Sequence, residues 1–326
     1  MIGTRQSSAT PYSAAVTVIS ADGLVKRYGE LLAVDGISFT VESGEVFGML
    51  GPNGAGKTTT MEMLEGLRRP DAGTATVLGS DVVRDARAIK TRIGVQLQAT
   101  ALPPLTTVRE AVDLFAALFP RARSTDELLS EFDLEAKAKT YAADLSGGQM
   151  QRLSIALALV NDPDVVFLDE PTTGLDPQAR LNIWDVVEGV RRRGKTVVLT
   201  THNMEEAERL CARVAIVDHG RIVALDTPAS LIASHALGTT IEFQAPHGVD
   251  AQALAGLEGV DAVTVDGRAA VTTREPERVL RQLLDPSATW LTRGDDGSEV
   301  GIRDLRVRQG TLEDVFIALT GRSLRT

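Results

Sequence analysis

Residues 51–58 read GPNGAGKT, directly after the apolar run VFGML at 46–50 and directly before TTTMEMLEGL at 59–68. The order is strand, glycine-rich loop, helix, and the loop fits G-x-x-x-x-G-K-[ST], the spacing of a phosphate-binding P-loop. Gly51, Gly54 and Gly56 let backbone N–H groups turn inward onto phosphate oxygens, and the helix that follows adds its positive end. Lys57 is placed to meet the β and γ phosphates, and the Thr58 hydroxyl to ligate Mg²⁺. Pro52, Asn53, Ala55 and Thr59 complete the expected nucleotide-binding stretch. Met61, Leu64 and Leu67 carry the helical spacing onward.

A P-loop needs a carboxylate partner, and VVFLDE at 165–170 supplies two. Asp169, ending an apolar strand, can hold Mg²⁺ with Thr58; Glu170 is placed to polarise an attacking water as general base. A second glycine-rich turn, LSGGQ at 145–149, has no lysine. Ser146 and Gln149 have capping-box spacing ahead of the helical MQRLSIALALV. A helix N-terminus lined by Ser146, Gly147 and Gly148 is also an anion site, suited to the opposite face of a nucleotide held by another copy of the chain.

Apolar strands alternate with helical segments: a helix from about 177 to 193 with Leu181, Trp184, Val187 and Val190 on one side, then TVVLTTH and RVAIVDHGRIVAL as buried strands. Thr107 with Glu110, and Ser124 with Glu127, have the spacing of capping boxes. From about 238 the pattern becomes βαββαβ, with an Asp-Gly turn inside AVTVDGRAAVTT.

The 326 residues carry a net charge of −10, which argues against a nucleic-acid binder held by phosphate contacts, although a local basic groove could survive in an acidic chain. One cysteine, Cys211, leaves no intrachain disulfide. No apolar stretch approaches the ~18 residues that cross a bilayer, so work at a membrane would require another chain to span it. The first 20 residues make a poor signal peptide, and about 1–16 read as a disordered tail.

GPNGAGKT, LSGGQ, VVFLDEPTTGLDP and TTH, in this order and spacing, resemble the nucleotide-binding subunit of an ATP-binding cassette (ABC) transporter over about residues 20–235. The resemblance implies an α/β P-loop NTPase cassette at 17–237: a mostly parallel sheet core, an antiparallel β subdomain and a helical subdomain at about 99–160. A small α+β domain then follows at 238–326. Two copies would pair head to tail on two MgATP, with Ser146 and Gly148 meeting the partner's γ phosphate, whose charge the partner's own P-loop lysine already balances. Tyr28 resembles the aromatic that stacks on adenine; it also reads as a strand-edge aromatic. Gln98 resembles the glutamine that meets Mg²⁺ and senses the membrane partner, its distance from Gly94 favouring it over Gln96. Asp176 resembles the aspartate linking the two sites and reads equally as an N-cap before Pro177. His202 resembles the histidine that contacts the γ phosphate and orients Glu170.

No second cassette and no coiled-coil insertion is present, and the tail is shorter than that of sugar importers. GTLEDVFIALTGR at 310–322 resembles the ending of antibiotic and multidrug exporter ATPases of the daunorubicin-resistance kind. This implies an export ATPase at the cytoplasmic face of the membrane, its helical subdomain gripping a separate polytopic permease. A lipid or polysaccharide exporter, or a soluble cassette ATPase, would share the same machinery.

Overall fold

The computed structural model describes residues 16–96, 102–103, 105–235, 238–244, 249–285 and 302–321. The proposed N-terminal tail lies outside them except for Val16, and so does Gln98. The described residues form two compact units, one within Met1–His202 and Leu210–Ile222, the other within Asn203–Arg209 and Val223–Thr326.

In chain order the elements are β1 (Thr17–Tyr28), β2 (Leu31–Glu42), β3 (Val46–Leu50), α1 (Lys57–Leu64), β4 (Ala72–Val77), β5 (Ser80–Asp81), α2 (Ala86–Lys90) and β6 (Ile93–Gln96). Then come α3 (Val108–Ala116), α4 (Thr125–Glu131), α5 (Gly147–Ala158), β7 (Val165–Asp169), α6 (Pro177–Arg192), β8 (Thr196–Thr201), α7 (Met204–Leu210), β9 (Arg213–Asp218) and β10 (Arg221–Asp226).

The core of the first unit is the strand series β9-β3-β8-β7-β6, in which every neighbouring pair is parallel. β3, β7 and β8 are buried along their whole length, which is why they read as unbroken apolar runs. A second, antiparallel sheet runs β2-β1-β4-β5. Within α6, Ile183, Trp184, Val187 and Val190 are buried.

Several expectations need correcting. α1 ends at Leu64, so Leu67 lies beyond it and is 52% exposed. Leu181 is likewise exposed, because Ile183 takes the inward position. Ser124 precedes α4 in extended conformation but makes no side-chain cap bond, whereas Thr107 and Glu110 form a complete capping box. RVAIVDHGRIVAL divides at the Asp218–His219–Gly220 turn: β9 is buried but β10 alternates between exposed and half-buried.

The second unit holds α7, α8 (Pro228–His235), β11 (Thr239–Gln244), α9 (Ala251–Ala255), β12 (Val260–Asp266), β13 (Arg268–Thr273), α10 (Pro276–Leu283), β14 (Arg303–Arg308) and α11 (Leu312–Thr320). The βαββαβ order is present, with antiparallel sheet order β12-β13-β11-β14 and the Asp-Gly turn between β12 and β13. Ile241, Phe243, Val271, Leu254, Val279 and Leu283 form its core. α11 packs on α8; Thr311 and Asp314 form its capping box, and the Leu312 N–H donates to Glu208 at 2.6 Å.

Candidate active site

In parallel sheets ligands gather at the carboxyl ends of the strands, and here three such ends meet. β8 lies between β3 and β7, with Leu50 paired to Thr201 and Thr200 to Asp169. The P-loop after β3, Asp169–Glu170 after β7 and His202 after β8 are therefore brought to one edge by strand order alone.

The loop is built around two close approaches. A Cβ on Gly51 would lie 2.1 Å from the Val217 carbonyl oxygen, and one on Gly56, at φ +101°, would lie 2.4 Å from that of Ala33. Only glycine fits both. Gly56 caps α1, and its carbonyl accepts from the Thr60 N–H and hydroxyl, each at 2.9 Å. Ala55 is buried and Pro52 half-buried at the base of the loop; Asn53 and Gly54 are exposed at its tip.

Lys57 donates to the carbonyls of Gly51 (2.7 Å) and Pro52 (3.0 Å), and its Nζ lies 3.7 Å from Glu170 Oε1. Burial pulls the ammonium pKa down; the carboxylates of Glu170 and Asp169 oppose that. Thr58 Oγ1 donates toward Asp169 Oδ1 and Oδ2 at 3.2 and 3.1 Å, across 111 positions of sequence.

Glu170 sits in the left-handed region at φ +48°, a costly conformation for a residue with a Cβ. Its N–H bonds the Thr200 carbonyl (3.2 Å) and hydroxyl (3.0 Å), which hold the turn in place. Its Oε2 accepts from the Thr173 hydroxyl at 2.9 Å and lies 3.3 Å from His202 Nδ1.

A cavity of about 310 Å³ is lined by Tyr28, Leu31, Ala33, Asn53, Gly54, Gly56, Lys57, Thr58, Thr59 and Glu170. The donor set fits a triphosphate with a hydrated Mg²⁺: one hydroxyl and one carboxylate converge beside the lysine, and no cluster of three metal-ligating side chains exists among the described residues. Such an ion is held by few protein ligands and by phosphate oxygens.

Ser146, Gly147, Gly148 and Gln149 stand apart from this cavity. Ser146 caps α5 with a full capping box: its Oγ accepts from Gln149 N–H at 3.4 Å, and its N–H donates to Gln149 Oε1 at 3.1 Å. These residues share a second cavity of about 330 Å³ with Arg152 and Asp176, and the two cavities have no lining residue in common. Asp176 caps α6 through Oδ1 to the Ala179 N–H at 2.9 Å, with Pro177 first in the helix.

Sequence reasoning missed three contributors. Thr200 donates a short hydrogen bond to Asp169 Oδ1; Thr173 holds Glu170. Glu65, at the end of α1, is buried with its Oε2 unpartnered, and burial followed by the Asp169 and Glu62 charges pushes its pKa up to about 8. The TT before His202 offered a hint of the first; Glu65 sits in an apolar-looking stretch that gave none.

Fold and site define a P-loop ATPase of the cassette type. Residues 34–173 match the ABC transporter family model. The Nod factor export ATP-binding protein I of Paraburkholderia xenovorans (strain LB400) is 44% identical over 320 residues, covering 94% of this chain and 98% of that protein. An ATP-binding cassette of an ABC transporter solved in its ADP conformation superposes with TM-score 0.59 at 25% identity, covering 65% of this chain and 91% of that one. A bacterial ABC transporter cassette solved as a dimer does so with TM-score 0.59 at 27% identity, covering 64% and 98%. The chain belongs to the ABC transporter family and is its ATP-binding, ATP-hydrolysing subunit.

Proposed function

We propose that this chain powers an exporter as a head-to-tail pair at the cytoplasmic face of the membrane, beneath a separate polytopic permease. One observation carries the reading: the P-loop and the Ser146–Gly148 turn of a single chain line two cavities that share no residue, which we read as two incomplete anion sites. The first has the lysine and carboxylates. The second has a capped helix N-terminus, and its basic residue, Arg152, is turned to Asp133 at 3.4 Å. A second copy set head to tail lays each Ser146–Gly148 turn over its partner's γ phosphate and completes both sites.

Within each site Lys57 leaves the Gly51 and Pro52 carbonyls for the β and γ phosphates, and Tyr28 offers its ring to adenine. Thr58, Asp169 and Gln98 would hold Mg²⁺, which when bound supplies charge neutralisation across the β and γ phosphates. Glu170, held by Thr173 and His202, accepts the proton of the attacking water; His202 also faces the γ phosphate. Asp176, beside the second cavity, couples the two sites. ATP drives closure only by its greater affinity for the closed pair, and hydrolysis releases it.

The 310–322 ending supports a drug or antibiotic as cargo. A second reading, in which the exported molecule is of the Nod factor kind, is favoured by a relative of that name matching 94% of the chain. The export function in that name also supports a pump over a soluble ATPase.

Glu170→Gln is expected to bind ATP and accumulate as a dimer on size-exclusion chromatography with MgATP. Adding Ser146→Arg should return it to monomer with ATP still bound. A dimer persisting in the double variant would overturn the head-to-tail site.

A further inference from the structure

Tyr28 ends β1, half-exposed, with its ring on the nucleotide cavity. Two cations lie over that ring: the Arg68 guanidinium carbon is 5.2 Å from the centroid and Lys26 Nζ 5.9 Å. Neither lines the cavity.

Both cations are fixed. Arg68 is tied twice to Glu62 of α1: its backbone N–H donates to the Glu62 carbonyl at 3.0 Å, and its Nε to Glu62 Oε2 at 2.6 Å. Lys26 donates to the Arg69 carbonyl at 2.9 Å and to Asp71 Oδ1 at 2.8 Å, while Asp71 Oδ2 accepts from the Arg27 N–H at 2.8 Å. The stretch after α1 is thereby bound to the strand that presents the ring.

A partly exposed tyrosine flanking a two-residue hairpin turn has rotamer freedom that base stacking would have to remove. A cation held over its face by the ring quadrupole removes part of that freedom in advance. α1 begins with Lys57 and Thr58 and carries Glu62 in its last turn. The same helix therefore sets the phosphate end of the site and, through Glu62 and Arg68, the base end.

We infer that Arg68, buttressed by Glu62, is a positioning residue that holds the Tyr28 ring as the platform for the adenine of ATP, with Lys26 as a second brace. This rests on the reading of Tyr28 given under the proposed function. Arg68 touches no reacting atom. Its effect belongs on ATP affinity, and only through the ring.

The test is steady-state ATPase kinetics of the full chain, with inorganic triphosphate as a competitor that lacks the base. Arg68→Ala should raise KM for ATP roughly threefold with kcat held within about twofold, as expected for a cation–π contact of modest strength. Arg68→Lys should recover much of the loss, and inhibition by triphosphate should not change. In a Tyr28→Ala background Arg68→Ala should add nothing, since the two residues act as one unit. If Tyr28→Ala raises KM and Arg68→Ala does not, the Arg68 inference falls and the adenine platform stands. If Tyr28→Ala leaves KM unchanged, the platform falls and takes this inference with it. An equal penalty from Arg68→Ala in both backgrounds, or weakened triphosphate inhibition, would show that Arg68 acts through the fold or the phosphates, and would overturn it.

Discussion

Glu65 shows how a single side chain can shape behaviour without touching substrate. Burial, and after it the Asp169 and Glu62 charges, favour its protonated form in the fold up to about pH 8, against an ordinary value of 4.5. The unfolded chain sheds that proton earlier. Between these values the native state binds more protons, so this contribution to stability is complete below pH 4.5 and is lost as pH rises toward 8. The span corresponds to a few kcal/mol at most, on the order of 1.4 kcal/mol per pH unit. Glu65→Gln should match the wild type in urea melts at pH 5 and exceed it at pH 8; equal stability at both would refute the buried, protonated carboxyl. Motif spacing named Lys57, Thr58, Asp169 and Glu170, because phosphate chemistry restricts which residue types serve at those offsets. It could not name Glu65, Thr173 or Thr200, whose contributions come from neighbours in space.

Elements were legible where local rules govern. Capping boxes at Thr107, Ser146 and Thr311 form as their spacing requires, since all partners lie within one turn. Ser124 has the same spacing and no cap bond, and its α4 is only seven residues long. Buried strands declared themselves as apolar runs, yet exposure of β10 depends on what covers it, which its own residues do not encode. Asp176 belongs to this scale because its capping bond is certain and its coupling role is proposed. Asp176→Asn keeps the acceptor for the Ala179 N–H and should leave the melting temperature within about 1 °C, whereas Asp176→Ala should cost about 1 kcal/mol. A fall in ATPase in the Asn variant, at unchanged melting temperature, would separate coupling from capping. Full activity in that variant would leave Asp176 as a cap alone.

At the scale of the molecule, no described helix is long and apolar enough to cross a membrane, and the proposed pump is tested through its separate permease. Pull-down of tagged protein from its native membranes, with and without MgATP, should recover a polytopic chain at equal stoichiometry; recovery of this chain alone, with ATPase intact, would refute the pump. The sequence by itself determined the P-loop, the carboxylate pair, the helix-capping signature turn and the βαββαβ order of the C-terminal residues, because each is written in contiguous residues whose periodicity and turn chemistry act locally. Only the tertiary structure decided that β8 lies between β3 and β7, and hence that Thr58 meets Asp169 and that Thr200 holds the Asp169 carboxylate and the Glu170 backbone N–H. It also decided that the signature turn faces a different cavity from its own P-loop, and that Arg68 lies over Tyr28. Strand order and packing are set by burial summed over the whole chain, so no window of sequence contains them.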